Sequence, residues 1–563
     1  MTSKIPGGHQ MFDALVIGSG AGGAVVAHEL TKAGMSVCMV EKGPYYQLRD
    51  FVHDEVDICR RTFFVPSPAD EPNMVALDSA PAEHSANGWI SCCVGGGTVH
   101  MGGYFFRMTP DDFRLKSAFG AVAGSSLIDW PIGHAELAPY YDEIEALIGV
   151  SGPASEALPP SQRRSLMPPM AQHQAASMLD DAAKASGVNL FQTPRAISTI
   201  AKDGRGACVY CGYCASYGCE VGAKSSTLAS LVPDALATGK LTLLANTMVR
   251  AITMGPSGLA SGVLACPANG GPNFRLLARR VIVAAGAIQT ARLMLASKLP
   301  LTSDQLGRNL LFATQAQASA EYELPHAAFA AGREFPFIDR ATTDFYDVKK
   351  SIRHDGGALY SRAGTLLFML PHVNPIFQAE QAIVRHDAIR LGGQQAASEN
   401  ETPLLWGQDL TQQLHRHFVQ TKRLEMESFA EFFPNAGTRI TLDPTVVDKF
   451  GLPVARVEVE LHEATKRASK FLLARGRELL EATAPASVAT LREHDVYWPL
   501  QAGTARMASS AKDGVTNRDG RVFGIANLYV TDGAALPTGG GAPFTLTIMA
   551  NALRIARGLA KSN

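Results

Sequence analysis

No run of uncharged apolar residues in this 563-residue chain is long enough to span a bilayer; the nearest, LTIMANALRIARGLA, is short and carries arginines. A direct membrane span is not expected. Neither sign of charge dominates, with 51 Lys and Arg against 52 Asp and Glu, so no whole-chain basic field exists to draw in nucleic acid. A small molecule is the better-matched partner. The opening MTSKIPGGHQ has neither an apolar core nor a small-residue cleavage site, which points to the cytoplasm, or to the periplasm only if a partner subunit supplies the export signal. The nine cysteines do not suit a disulfide framework, because the count is odd and four of them crowd into residues 208–219.

What is present begins at Phe12. The stretch to Lys42 reads as strand (Ala14 to Ile17), glycine turn, helix (Ala24 to Ala33, closed by Gly34) and strand (Ser36 to Val40). Its turn, Gly18-Ser19-Gly20-Ala21-Gly22-Gly23, is a G-x-G-x-x-G pattern. The first glycine permits the tight turn, the second lets the backbone approach a pyrophosphate, and the last packs helix on sheet, with the helix N-terminus facing the phosphates. Glu41, followed by Lys42, ends the second strand, where an acid binds a ribose hydroxyl. The motif alone leaves FAD and NAD both open.

Val281 to Ser297 repeats the strand, small-residue turn and helix, as another strand of the same sheet would. Residues 151–174 and 392–404 read as surface excursions. Past Gly307 the pattern changes to alternating strands and polar helices without internal repeats, and the chain then returns to the strand NLYVTD and a final helix. The expected class is α/β: a Rossmann-like nucleotide domain from residues 1–310 and 495–563, with a cysteine-rich insert at 205–225, and an α+β substrate domain at 311–494.

Gly95-Gly96-Gly97-Thr98 within CCVGGGTVHMGGYFFR, the later VIVAAGAIQTARLML, GRNL at 307–310 and the terminal VFGIANLYVTDGAALPTGGGAPFTLTIMANALRIA occur in an order that resembles the glucose-methanol-choline (GMC) flavoprotein oxidoreductases. PDDF at 110–113 and DWPI at 129–132 make the likeness strongest to bacterial sugar and gluconate dehydrogenase large subunits and to pyranose oxidases. The resemblance implies FAD, an FAD domain interrupted by a sheet-floored substrate domain, and an enzyme acting on CH–OH groups. It also implies that Gly18, Ser19, Gly20, Ala21, Gly22, Gly23, Glu41 and Lys42 serve the ADP half, and that Gly95, Gly96 and Thr98 lie along the pyrophosphate and flavin. Val249 corresponds to a position whose backbone meets adenine; Ala285, Gly286, Asp532 and Gly533 fall in turns beside the cofactor. His100 matches the histidine that carries flavin covalently in pyranose oxidases; it can equally stand beside a non-covalent flavin.

Cys208, Cys211, Cys214 and Cys219, spaced C-x2-C-x2-C-x4-C, can converge on an iron-sulfur cluster or on zinc. The cluster is favoured, because a flavin needs an electron exit and the similar sugar dehydrogenases carry one in a cysteine loop. Electrons would then pass to an acceptor protein, a quinone or a cytochrome, which favours a dehydrogenase over an oxidase.

One element of the family pattern is missing. A histidine usually stands three residues before the glycine of G-T-x-R-M, faced by a second histidine or an asparagine before the final helix. Here Leu500 precedes Gly503 by three, and Pro543 takes the facing place; neither side chain can exchange a proton. Gln501, Tyr497 and His494 are the nearby substitutes, with Glu427, Glu431 and His100 available from other segments. Three readings follow: hydroxyl oxidation with a base from elsewhere, desaturation or double-bond reduction that dispenses with it, or a catalytically silent flavoprotein that acts as an assembly partner. The bulky YWPL favours a more apolar substrate than a sugar.

Overall fold

The computed structural model describes residues 10–59, 63–78, 80–85, 91–329, 335–348, 362–383 and 406–561. The excursion expected at 392–404 lies outside them. Strand Met11–Ile17 pairs in parallel with Val37–Val40 on one side and Phe274–Val283 on the other. Leu241–Leu244 and Leu528–Val530 extend this parallel core, and the hairpin of Thr247–Met254 with Ala260–Pro267 continues it antiparallel. The central strands are buried on both faces, as their continuous apolar runs require. The Ala21–Lys32 helix covers the sheet and packs against the terminal Thr545–Lys561 helix, so the chain's end closes over its beginning.

A second, six-stranded antiparallel sheet runs in the order Ser487–Ala502, Leu311–Glu323, Thr421–Ala430, Gly364–Met369, Arg340–Thr342 and Phe191–Gln192. Period-two alternation divides its faces. Ala316, Ala318, Ala320, Leu424 and Met426 form one buried cluster with Leu472 of the Glu463–Glu481 helix. Gly476 lets that helix sit close: a Cβ there would stand 2.3 Å from the Met426 side chain. The opposite face, bearing Gln315, Glu427, Phe429 and Leu367, turns away from the helix.

A third sheet joins Arg439–Val447 and Pro453–Val459 to Asn73–Leu77 and Glu83–Ser85. The sequence reading did not place a strand at 73–77, since its partner lies hundreds of residues downstream. Among the described residues no helix is long and apolar enough to cross a membrane.

Candidate active site

The glycine turn is built by steric necessity. Gly18 has φ +96°, and a Cβ on it would lie 2.3 Å from the Ala284 carbonyl oxygen; Gly22 meets Thr531 O at 2.2 Å and Gly23 meets Gly18 O at 2.0 Å. Only glycines let these backbones touch. The Ala21–Lys32 helix then starts at Gly20 with no side-chain cap, so its first amides remain available to an anion. Gly96 faces Gly20 so closely that a Cβ would come within 3.0 Å of its Cα. The two glycine runs therefore wall one cradle.

Ser19 ties the walls together: its hydroxyl donates to Glu41 at 2.7 Å and accepts from the Gly95 amide at 3.0 Å. Glu41 also accepts from the Gly43 amide, and burial raises its pKa. Lys42 pairs with Glu71, which in turn meets Arg292. Thr98 donates to Gly95 O at 2.7 Å, and Thr227, absent from the sequence reading, bonds both Thr98 and the Ser19 carbonyl. Val249 lies two residues past Thr247, whose amide donates to Glu41 O. Ala285 and Gly286 turn toward Asp532, which accepts from the Gly286 and Ala534 amides and from Thr290; burial pushes its pKa up to about 6. Gly533 receives the Gly503 amide on its carbonyl.

His100 follows the second glycine run. Its Nε2 is 3.0 Å from Ser91 Oγ, its ring stacks on Phe64, and burial lowers its pKa to about 3, keeping the imidazole neutral.

Strand Ser487–Ala502 slips its register against Leu311–Glu323 between Phe312 and Ala313, so that Trp498, Pro499 and Leu500 bulge between the paired residues Tyr497 and Gln501. Trp498 meets Phe312 edge-on, and the Gln501 amide donates to Trp498 O. Leu500 and Tyr497 pack on an apolar cluster that includes Ala313, Leu367, Met369, Phe429 and Ala542, the neighbour of buried Pro543. The structure thus brings Leu500, Tyr497 and the segment of Pro543 to one place. His494 lies apart, in a second slip between Arg492 and Asp495. Beyond the apolar cluster the same sheet face becomes polar: Gln315 bonds Glu427, Gln317 bonds Glu425 at 3.1 Å, and Arg492 donates to Gln315 at 3.0 Å.

Cys208, Cys211, Cys214 and Cys219 line a single cleft together with His53 and Lys224. Backbone amides of Tyr210 and Lys224 donate to the Cys208 and Cys219 sulfurs, each at 3.4 Å. Burial pushes the Cys208 thiol up to about 12; at Cys214 it also raises the pKa, opposed by the nearby Arg195 and Lys224 charges. Among the described residues no three His, Cys, Asp or Glu side chains converge tightly enough to hold a single metal ion. The cleft adjoins the cofactor cradle: the Ser216 amide donates to His100 O, and the Lys224 ammonium donates to Val99 O.

Two glycine runs wall to wall, an uncapped helix N-terminus and an acid at the end of the second strand define a dinucleotide-binding protein. The chain belongs to the GMC oxidoreductase family, whose N-terminal part matches residues 12–314 and whose C-terminal part matches 434–552. It is an FAD oxidoreductase acting on CH–OH groups. It is 29% identical to paromamine 6'-oxidase of Streptomyces fradiae, over 98% of this chain and 92% of that protein. It is 30% identical to 2-methyl-1,2-propanediol dehydrogenase of Mycolicibacterium austroafricanum, over 96% and 94%. A solved formate oxidase from Aspergillus oryzae shares the fold with a TM-score of 0.62 at 14% identity, covering 99% of each chain.

Proposed function

We propose that this chain is a dehydrogenase that oxidises an alcohol or sugar hydroxyl and passes the electrons through an iron-sulfur cluster to an acceptor other than oxygen. The observation that carries this reading is the cleft of four cysteines joined by hydrogen bonds to the Val99-His100 segment of the cofactor cradle. The donor set suits a cluster: four soft ligands, two amide N–H groups directed at sulfur, and two buried cations, Arg195 and Lys224, beside Cys214.

FAD in the cradle supplies the hydride acceptor. Gly20, Gly96 and the helix N-terminus would hold its pyrophosphate, Glu41 its ribose, and Asp532 with the Gly286 turn the middle of the molecule. The neutral imidazole of His100 suits a covalent link to the flavin; acid precipitation that leaves all flavin in the supernatant would rule that link out. A partner subunit or a small electron-carrier protein would receive the electrons at the exposed Cys211 side.

The test is chemical. Protein purified without oxygen should contain iron and acid-labile sulfide in near-equal amounts, lost on Cys211→Ser and retained on Cys266→Ser. Zinc without iron would overturn the cluster. A second reading, reduction of a carbon-carbon double bond in an apolar substrate, is favoured by the apolar patch around Leu500, Phe429 and Ala542. Reoxidation of the reduced protein by an enone would support it.

A further inference from the structure

The site's missing base leaves a proton without a destination. The candidates are the titratable groups on the sheet face that turns away from the Glu463–Glu481 helix. Glu425 and Glu427 come from Thr421–Ala430, Arg492, Asp495 and Tyr497 from Ser487–Ala502, and Tyr104 from the loop after the second glycine run. Gln315 and Gln317 stand between them and do not titrate.

Position separates these groups. Phe429 and Ala313 pack with Leu500 and Ala542, and Glu427 is the next residue on the same face, two along from Phe429. Glu425 lies two residues farther away. Glu431, also buried, lies just past the end of the Thr421–Ala430 strand, among Asp112, Arg362 and the Gly540 backbone. Tyr497 is pushed well above the usual phenol range by burial and by the Glu427 charge, so it holds its proton. Glu427 is buried, and Gln315 donates to one of its oxygens.

We infer that Glu427 takes the substrate's hydroxyl proton in this chain, in place of the histidine that the family pattern puts at Leu500. The inference rests on the hydroxyl-oxidation reading above. In the step, the O–H bond breaks and its proton passes to the Glu427 carboxylate. FAD, when bound, would supply the acceptor for the hydride of the adjacent C–H bond, so that the alcohol becomes a carbonyl by losing a hydride (two electrons and one proton) and the hydroxyl proton held by Glu427. Burial, opposed by Arg492 and Gln315 and aided by Glu425, brings the pKa of Glu427 up to about 7. It is therefore protonated and idle below that value and ionised above it, where a carboxylate of this basicity is well matched to the task.

The experiment uses the FAD-loaded enzyme and three probe alcohols: 2-methyl-1,2-propanediol, benzyl alcohol and fructose. Flavin reduction in a single turnover should rise with pH through about 7 and level off. Glu427→Gln should slow it by about 100-fold or more and abolish that pH dependence, while Glu425→Gln retains the pH dependence. Infrared difference spectra supply a readout apart from turnover: burial brings Glu425 as well as Glu427 up to about 7, so the carboxylic acid C=O signal that titrates near pH 7 in the parent protein should lose one component in Glu427→Gln and a different one in Glu425→Gln, with flavin content and thermal midpoint retained. If parent and Glu427→Gln proteins are reduced at similar rates with the same pH profile, Glu427 is not the acceptor, although hydroxyl oxidation stands. If no probe reduces the parent protein while an enone reoxidises its chemically reduced form, the hydroxyl-oxidation reading itself falls and takes this role with it.

Discussion

The Lys224 ammonium donates to the Val99 carbonyl at 3.2 Å, and the same nitrogen donates to Tyr217 O at 2.6 Å and to Cys214 O. One buried cation thus pins the cysteine loop to the second glycine run, across 125 residues of sequence. Because the three acceptors are backbone carbonyls, the contact fixes where the loop lies as well as how the thiols are screened.

Lys224→Met keeps the apolar stem and removes all three donors. Leaving buried carbonyls unsatisfied costs about 1–3 kcal/mol each before relaxation, so a loss of about 3 kcal/mol in urea unfolding is the expected result. Iron content should fall with it. An unchanged midpoint and full iron would show that the pin is dispensable.

The glycine cradle makes a sharper steric prediction. Gly22→Ala puts a methyl 2.2 Å from Thr531 O, the backbone carbonyl just past the Leu528–Val530 strand, held to the sheet by its own amide on Val283 O, so about 1–3 kcal/mol of overpacking strain is expected. Gly34→Ala is the control for added Cβ volume: nothing lies within 4 Å of that position, although its φ of +86° carries its own strain. The flavin-to-protein absorbance ratio after gel filtration should drop for Gly22→Ala and hold for Gly34→Ala.

How much of this site can be read from sequence depends on how local each requirement is. Gly18, Gly22 and Gly23 are legible because they recur as one G-x-G-x-x-G pattern between a strand and a helix within thirty residues, although the backbones that exclude a side chain at Gly18 and Gly22, Ala284 and Thr531, come from far along the chain. Thr227 is not, since its bonds to Thr98 and Ser19 span 129 and 208 residues. The expectation of a gap at Leu500 is equally local, since it rests only on the three-residue distance to Gly503. Glu427 is different: whether it faces the site depends on sheet register, where a slip of one residue turns every side chain to the other face. Tyr497 and Gln501 flank the bulged Leu500 only because the neighbouring strand slips beside Phe312, and no pattern in YWPLQ announces that slip. The third sheet escapes sequence reading for the same reason.

Acid stability offers a test away from the active site. His28, on the Ala21–Lys32 helix, is 2% exposed. Burial, helped by Lys32 and opposed by Asp234 and Glu143, lowers its pKa to about 4. The unfolded chain takes up this proton near pH 6.5 and the folded chain only near 4, so folding stability is lost as pH falls between the two. The full effect is about 3 kcal/mol. His28→Leu should flatten the unfolding free energy over that window relative to the parent, and parallel curves would show that His28 does not titrate there.

The strongest test of the displaced base is to put the family's own base back. Leu500 is half-buried against Tyr497, Phe429 and Ala542, so Leu500→His places an imidazole where the motif frame of Gly503 and Thr504 is intact. In the Glu427→Gln background this change should restore flavin reduction at least ten-fold, a part of the 100-fold or more that a positioned general base contributes in order of magnitude. The restored rate should follow a pH profile set below the usual imidazole value, because an apolar neighbourhood disfavours the charged ring. Recovery with the Glu427 profile replaced by an imidazole profile would establish that the two positions serve one proton. Absence of recovery in a folded, FAD-loaded double variant would mean that the hydroxyl stands out of reach of residue 500, and that the bulge at Trp498 to Leu500 has moved the substrate as well as the base.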